Sequence, residues 1–152
     1  MANYVHGFDP VEQLRLKEQA EFLAPMVYKE LDFSGCKQLL EVGSGVGAQT
    51  RILLEKFPDL QITSVDSSAV QLAQARINLA SFGDRVRFVE QDGCALQLEA
   101  RFDAAFVCWT LEHVPSPIQL LARLKEHLLP GARVYVTEVF NSSLFVSPGF
   151  SH

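Results

Sequence analysis

The chain has few of the devices that staple or metallate small proteins. Its 152 residues include three cysteines, Cys36, Cys94 and Cys108, far apart and without a C-x-x-C pair. That excludes a disulfide framework and points to a reducing compartment. The histidines His6, His113, His127 and His152 lack H-x-x-x-H or comparable spacing, so no protein-built metal site is expected. Cations are outnumbered, 13 Lys and Arg against 18 Asp and Glu for a net charge of −5, and they are scattered singly. Nucleic acid and an anionic membrane are therefore disfavoured as partners. No uncharged apolar run reaches the roughly 18 residues of a membrane span, and Met1 to Pro10 lacks the order of an export signal. The expectation is a cytoplasmic protein.

What is present is ordinary globular material: 48% hydrophobic and 20% charged, with 9 Gly and 7 Pro. This excludes disorder and low complexity, and the length suits one domain over 1–152. Asp9, Pro10 and Glu12 make a helix-start pattern ahead of Val11, Leu14, Leu16, Phe22 and Leu23. A helical segment over about 9–31, kinked at Pro25, is predicted. Gln38 to Val42 then reads as a strand running into Gly43, Gly45 and Gly47, with helical spacing from Thr50 to Phe57.

The alternation continues. Gln61 to Val65 is a predicted strand. Ser68 to Phe82 is a helix, with Ser68 and Gln71 at capping-box spacing and Gly83 as its stop. Arg85 to Glu90 is the third strand, 91–100 a loop and Phe102 to Cys108 the fourth strand. Ser116-Pro117 opens a helix that ends before Pro130-Gly131, Ala132 to Val139 is the fifth strand, and 140–152 is an apolar tail. Such alternation implies right-handed crossovers and an α/β, doubly wound, mainly parallel sheet with helices on both faces. Ligands then sit beyond the carboxyl ends of the strands, where the winding reverses. The ends of the first four strands are the places to inspect.

The richest of these ends is Glu41-Val42-Gly43-Ser44-Gly45-Val46-Gly47-Ala48. Glycines allow a tight turn and let a ligand approach the backbone, and the helix start presents N–H groups. Gly43-x-Gly45-x-x-Ala48 also satisfies the dinucleotide fingerprint, so an NAD-dependent oxidoreductase stands as an alternative, although a Tyr-x-x-x-Lys hydride-site pattern is lacking. Asp66 ends the second strand about twenty residues later, where a carboxylate can accept from both hydroxyls of a ribose. Asp66 can equally cap the next helix together with Ser67 or Ser68. Asp92-Gly93 follows the third strand, placing an acceptor for an adenine amino group where the base can lie against the chain.

With these residues assembled, the chain resembles the class I S-adenosylmethionine-dependent methyltransferases, especially the small-molecule-modifying branch, over about Tyr4 to Val139. The matching features are Glu41 two residues before the first glycine, Asp66, Asp92, the segment Cys108-Trp109-Thr110-Leu111-Glu112-His113-Val114, and Leu128-Leu129-Pro130-Gly131-Ala132 before the last strand. Tyr4-Val5-His6-Gly7-Phe8 is similar to the opening of some members. The resemblance implies a Rossmann-like sheet of order 3-2-1-4-5, a cofactor-binding core over about 37–139, and S-adenosylmethionine as cofactor.

Cofactor contacts are then expected from Tyr4, Glu41, Gly43, Ser44, Gly45, Asp66, Ser67, Asp92, Gly93, Cys108, Trp109 and His113. Glu41 would complement the cofactor's ammonium group, Cys108 would offer its backbone, and Tyr4 or Trp109 would face the sulfonium. His113 is the candidate general base for a hydroxyl acceptor, or else packs over the cofactor. Members of this family normally continue through two further strands. The ending at His152 therefore implies either a truncated chain or association of copies through the exposed fifth-strand edge. It also keeps open a non-catalytic, cofactor-binding scaffold subunit. The expected partner is a small-molecule methyl acceptor.

Overall fold

The computed structural model describes residues 28–138. Its elements are β1 Gln38–Val42, α1 Ala48–Lys56, β2 Gln61–Asp66, α2 Ala69–Asn78, β3 Val86–Glu90, β4 Phe102–Cys108, α3 Pro117–Glu126 and β5 Leu128–Thr137. Short 3-10 turns occupy Ala80–Arg85, Gly93–Ala95 and Leu111–His113. The five strands form one sheet in the order β3-β2-β1-β4-β5, all neighbours parallel. The expected fold class and strand order are both present.

The central strands are buried over most of their length because both of their faces are covered. Leu39, Ile62, Ala104 and Phe106 point to one side, against Leu53 and Leu54 of α1 and against Phe33. Leu40, Val42, Val65, Ala105 and Val107 point to the other, against Leu120 and Leu124 of α3 and Leu96. Val42 pairs with Val65 on one flank and with Val107 on the other. The carboxyl ends of β1, β2 and β4 therefore finish level, and the loops that follow them share one rim.

Several boundaries differ from the sequence expectation, each for a tertiary reason. α1 starts at Ala48, because Gly47 at φ +80° ends the glycine loop against α2's flank, where a Cβ would lie 2.6 Å from Leu79 Cδ1. α2 stops at Asn78 rather than running to Phe82. Its last residue is held by its carbonyl, which accepts from Arg51 Nη2 at 2.7 Å, and by Nδ2, which donates to the Val46 carbonyl at 2.9 Å. Gly83, at φ +55°, falls inside the following turn instead of ending the helix. α3 ends at Glu126, and β5 begins before Pro130-Gly131, with Leu128 opposite Phe102. The register slips before Arg133 meets Ala104, and such a bulge tolerates a proline that has no N–H to give.

Residues 28–31 form a turn closed by Leu31 N donating to the Tyr28 carbonyl, not the end of a helix. The remainder of the predicted helical segment, Tyr4 and the apolar tail lie outside the described residues. Among the described residues no helix is long and apolar enough to cross a membrane, and no group of three or more His, Cys, Asp or Glu side chains is arranged to hold a metal ion.

Candidate functional site

At the common rim lies a cleft of about 480 Å³, within the roughly 300–1,000 Å³ typical of small-molecule sites. Its floor is the end of β1 and the glycine loop. Gly43 sits at φ +80°, and a Cβ there would come within 2.1 Å of Thr110 Oγ1, so the loop crosses the end of β4 where no side chain fits. Thr110 Oγ1 donates toward the Cys108 and Val42 carbonyls at 3.0 and 3.3 Å. Gly45, at φ +54°, has open space in the direction of its missing side chain, with Gln71 Oε1 4.0 Å from that position.

Four amides of this loop, those of Gly43, Ser44, Gly45 and Gly47, are already engaged. Gly43 N and Ser44 N donate to the Val65 carbonyl at 2.8 and 3.2 Å, and Gly47 N to the Ser44 carbonyl at 3.0 Å. Gly45 N donates to Asp66 Oδ2 at 2.8 Å. A pyrophosphate would need such N–H groups free and aimed at it. The described residues lining the cleft also include Asp66, Asp92 and Glu112 but no Lys or Arg. This acidic surface repels phosphates and suits a ligand that brings hydroxyls, amino groups or positive charge.

The β2 end supplies Asp66, whose Oδ1 accepts from Ser68 N at 2.9 Å, so both oxygens already hold a backbone N–H. A carboxylate offers about four acceptor positions, leaving room for a ligand's donors. The β3 end supplies Asp92, exposed, with Oδ1 accepting from Cys94 N at 2.8 Å. Beside it Gly93 is buried, and a Cβ there would meet Val42 Cγ1 at 2.8 Å and Leu120 Cδ1 at 2.9 Å. This glycine is demanded by packing between sheet and α3.

The β4 end forms the opposite wall. Trp109 takes φ +51°, a left-handed conformation costing a bulky residue about 1–3 kcal/mol, and its N–H donates to the Thr137 carbonyl at 2.8 Å. Glu138, just past β5, steadies the chain that follows: its Oε1 accepts from both Thr110 N and Leu111 N at 2.9 Å. His113 closes the rim, with Nε2 3.4 Å from Glu112 Oε1.

Of the residues singled out from sequence, Gly43, Gly45, Asp66, Ser67, Asp92, Gly93, Trp109 and His113 line the cleft together. Glu41, Ser44 and Cys108 do not; all three are buried behind it. The Glu41 carboxylate accepts from Thr50 Oγ1 of α1 at 2.5 Å. Burial, opposed by that hydrogen bond and reinforced by nearby Asp66, pushes its pKa up to about 8. Burial likewise raises the Cys108 thiol, so it is a poor nucleophile.

Several contributors were missed, among them Glu112 on the cleft wall. Gln71 and Thr110 line the cleft, and Glu138 braces it. The rule that pointed to the ends of the first four strands, extended to the fifth, would have reached Glu138. Gln71 carried only a helix-capping signal.

The methyltransferase domain family matches residues 40–134. Among curated proteins, a trans-aconitate 2-methyltransferase from Deinococcus radiodurans is 37% identical over 94 residues, covering 62% of this chain and 34% of that protein. Among solved structures, the S-adenosylmethionine-dependent methyltransferase SibL in its apo form superposes with a TM-score of 0.69 at 25% identity, over 84% of this chain and 39% of that one. Phosphoethanolamine N-methyltransferase 2 of Haemonchus contortus, in complex with S-adenosyl-L-methionine, gives a TM-score of 0.63 at 26% identity, over 78% of this chain and 27% of that one. The chain spans half or less of the length of the curated relatives it matches. The family match, with the engaged loop amides and the acidic cleft, decides against the dinucleotide alternative. The chain belongs to the class I S-adenosylmethionine-dependent methyltransferases.

Proposed function

We propose that this chain, in the cytoplasm, holds S-adenosylmethionine in the cleft and serves methyl transfer to a small-molecule nucleophile. The observation that carries this reading is a glycine loop whose Gly43, Ser44, Gly45 and Gly47 amides are bonded within the protein, facing three carboxylates and, among the described residues, no Lys or Arg. Asp66 accepts from the ribose hydroxyls and Asp92 from the adenine amino group. Gly45 leaves the room through which the cofactor meets the backbone. Trp109 presents its ring toward the cationic end, and Glu41, behind the loop, braces α1 through its bond with Thr50.

When bound, the cofactor supplies a methyl carbon on a sulfonium, an activated leaving group. The chain's own residues then need only orient the partners and exclude water. His113 takes the proton of an acceptor hydroxyl, a reading supported by its position in the cleft lining. In His113→Asn, S-adenosylhomocysteine affinity should persist while turnover on a hydroxyl acceptor falls; unchanged turnover refutes the role.

A small acceptor is favoured because the cations are outnumbered and scattered singly along the sequence, and because the trans-aconitate enzyme named above is a relative. The outer edge of β5, with Val134 and Val136 exposed, is proposed as an association surface for a second copy; a monomer by light scattering contradicts that. The decisive test is calorimetry with S-adenosylhomocysteine. Binding by the unaltered chain, weakened at least about tenfold in Asp66→Ala, is expected. No binding, or undiminished binding in the variant, removes the reading.

A further inference from the structure

The capping box expected at the start of α2 is only half formed. Gln71 N donates to Ser68 Oγ at 3.3 Å, as such a box requires. The reciprocal bond, in which the Gln71 side chain accepts from Ser68 N, is missing, because Asp66 Oδ1 has taken that N–H at 2.9 Å. Gln71 is 3% exposed, lines the cleft, and its Oε1 is buried with no hydrogen-bond partner. A buried carbonyl oxygen left unpaired is costly and rare. This one lies beside Gly45, the residue whose amide is tied to Asp66, and at the open face of the loop.

Both Asp66 oxygens are partly consumed by backbone N–H groups, so an acceptor added next to them enlarges what this corner can hold. Gln71 Oε1 lies 4.0 Å from where a Cβ of Gly45 would stand, and Gly45 N is bonded to Asp66 Oδ2, which ties this corner of the cleft to the end of β2. Resting on the cofactor reading above, we propose that Gln71 is a specificity-determining residue. Its side-chain carbonyl accepts a hydrogen bond from a ribose hydroxyl of the adenosyl ligand, so that Asp66 and Gln71 together read the diol. The helix gives up one capping bond, and the ligand completes the amide that this leaves open.

The test is calorimetry with three probes, S-adenosylhomocysteine and its 2′-deoxy and 3′-deoxy analogues, on the unaltered chain and on Gln71→Met, which keeps the volume and removes the acceptor. The unaltered chain should bind at least one deoxy analogue about fivefold or more weakly than the parent. Gln71→Met should bind the parent weakly by a similar factor and should no longer discriminate against that analogue. If the unaltered chain binds all three probes equally, the proposal is overturned without any variant. It is also overturned if Gln71→Met binds the parent undiminished, or keeps both discrimination ratios. Failure of the unaltered chain to bind the parent at all removes the cofactor reading itself, an outcome distinct from equal binding of all three.

Discussion

Glu41→Gln isolates the most strongly perturbed carboxyl at the site. Glu41 is 2% exposed, its pKa lifted from 4.5 to about 8 by burial, with Asp66 adding to the rise and the Thr50 hydroxyl opposing it. Between these two values the folded chain holds a proton that the unfolded chain has released. Stability therefore falls with rising pH, by about 1.4 kcal/mol per unit, and levels off above the folded value. At pH 7 the interval of 2.5 units above 4.5 corresponds to about 3 kcal/mol. Glutamine matches the protonated acid in shape and can accept from Thr50, but it does not titrate. The variant should match the parent near pH 4.5 and exceed it by about 3 kcal/mol at pH 7, roughly 10 °C in midpoint for a chain of this size. Urea unfolding of both proteins from pH 5 to 9 reads this directly, since all other titrating groups cancel in the difference. A difference that stays flat with pH would mean that Glu41 ionises normally inside the fold, and the reasoning fails.

Other consequences are equally checkable. Gly43→Ala, which forces a Cβ to 2.1 Å from Thr110 Oγ1 at φ +80°, should lower stability by about 3 kcal/mol or more in urea unfolding. Gly45→Ala meets open space and should cost only about 1–2 kcal/mol while weakening S-adenosylhomocysteine binding at least as much as it destabilises; the reverse ranking of the two stabilities would refute this. Glu138→Ala should release the amides of Thr110 and Leu111 to faster hydrogen exchange while the β1 amides keep their protection, and unchanged exchange contradicts the clamp. Arg85→Met should cost about 1–3 kcal/mol in thermal unfolding, because Arg85 donates to the Leu54, Phe57 and Leu60 carbonyls and joins the end of α1 to β2; a variant as stable as the parent removes that role.

Much of the architecture was legible because it rests on local rules. Gln38–Val42 and Phe102–Cys108 were bounded correctly, since these mostly apolar runs are closed by local signals, Gly43 after the first and the loop at 91–100 before the second. The helix ends were not, because Asn78 is anchored by Arg51 and Val46 across the fold and no local signal records that. At the site, Asp66 and Asp92 were found from their position after strands and do share one cleft. Glu41 was expected at the ligand but lies behind the loop, because alternation along β1 sends its side chain to the Leu39 face while Val42 takes the cleft.

The residue pattern on its own determined the parallel sheet and the strand ends at which chemistry is placed, since periodicity, glycine spacing and acids after strands are properties of short segments, while the family and the strand order came with the resemblance those motifs carry. Tertiary structure alone decided which acceptors are spent and which remain open. That Asp66 takes Ser68 N and leaves Gln71 unpaired, or that Glu138 reaches back to Thr110, depends on distances between segments, and hydrogen bonds act only over about 3 Å.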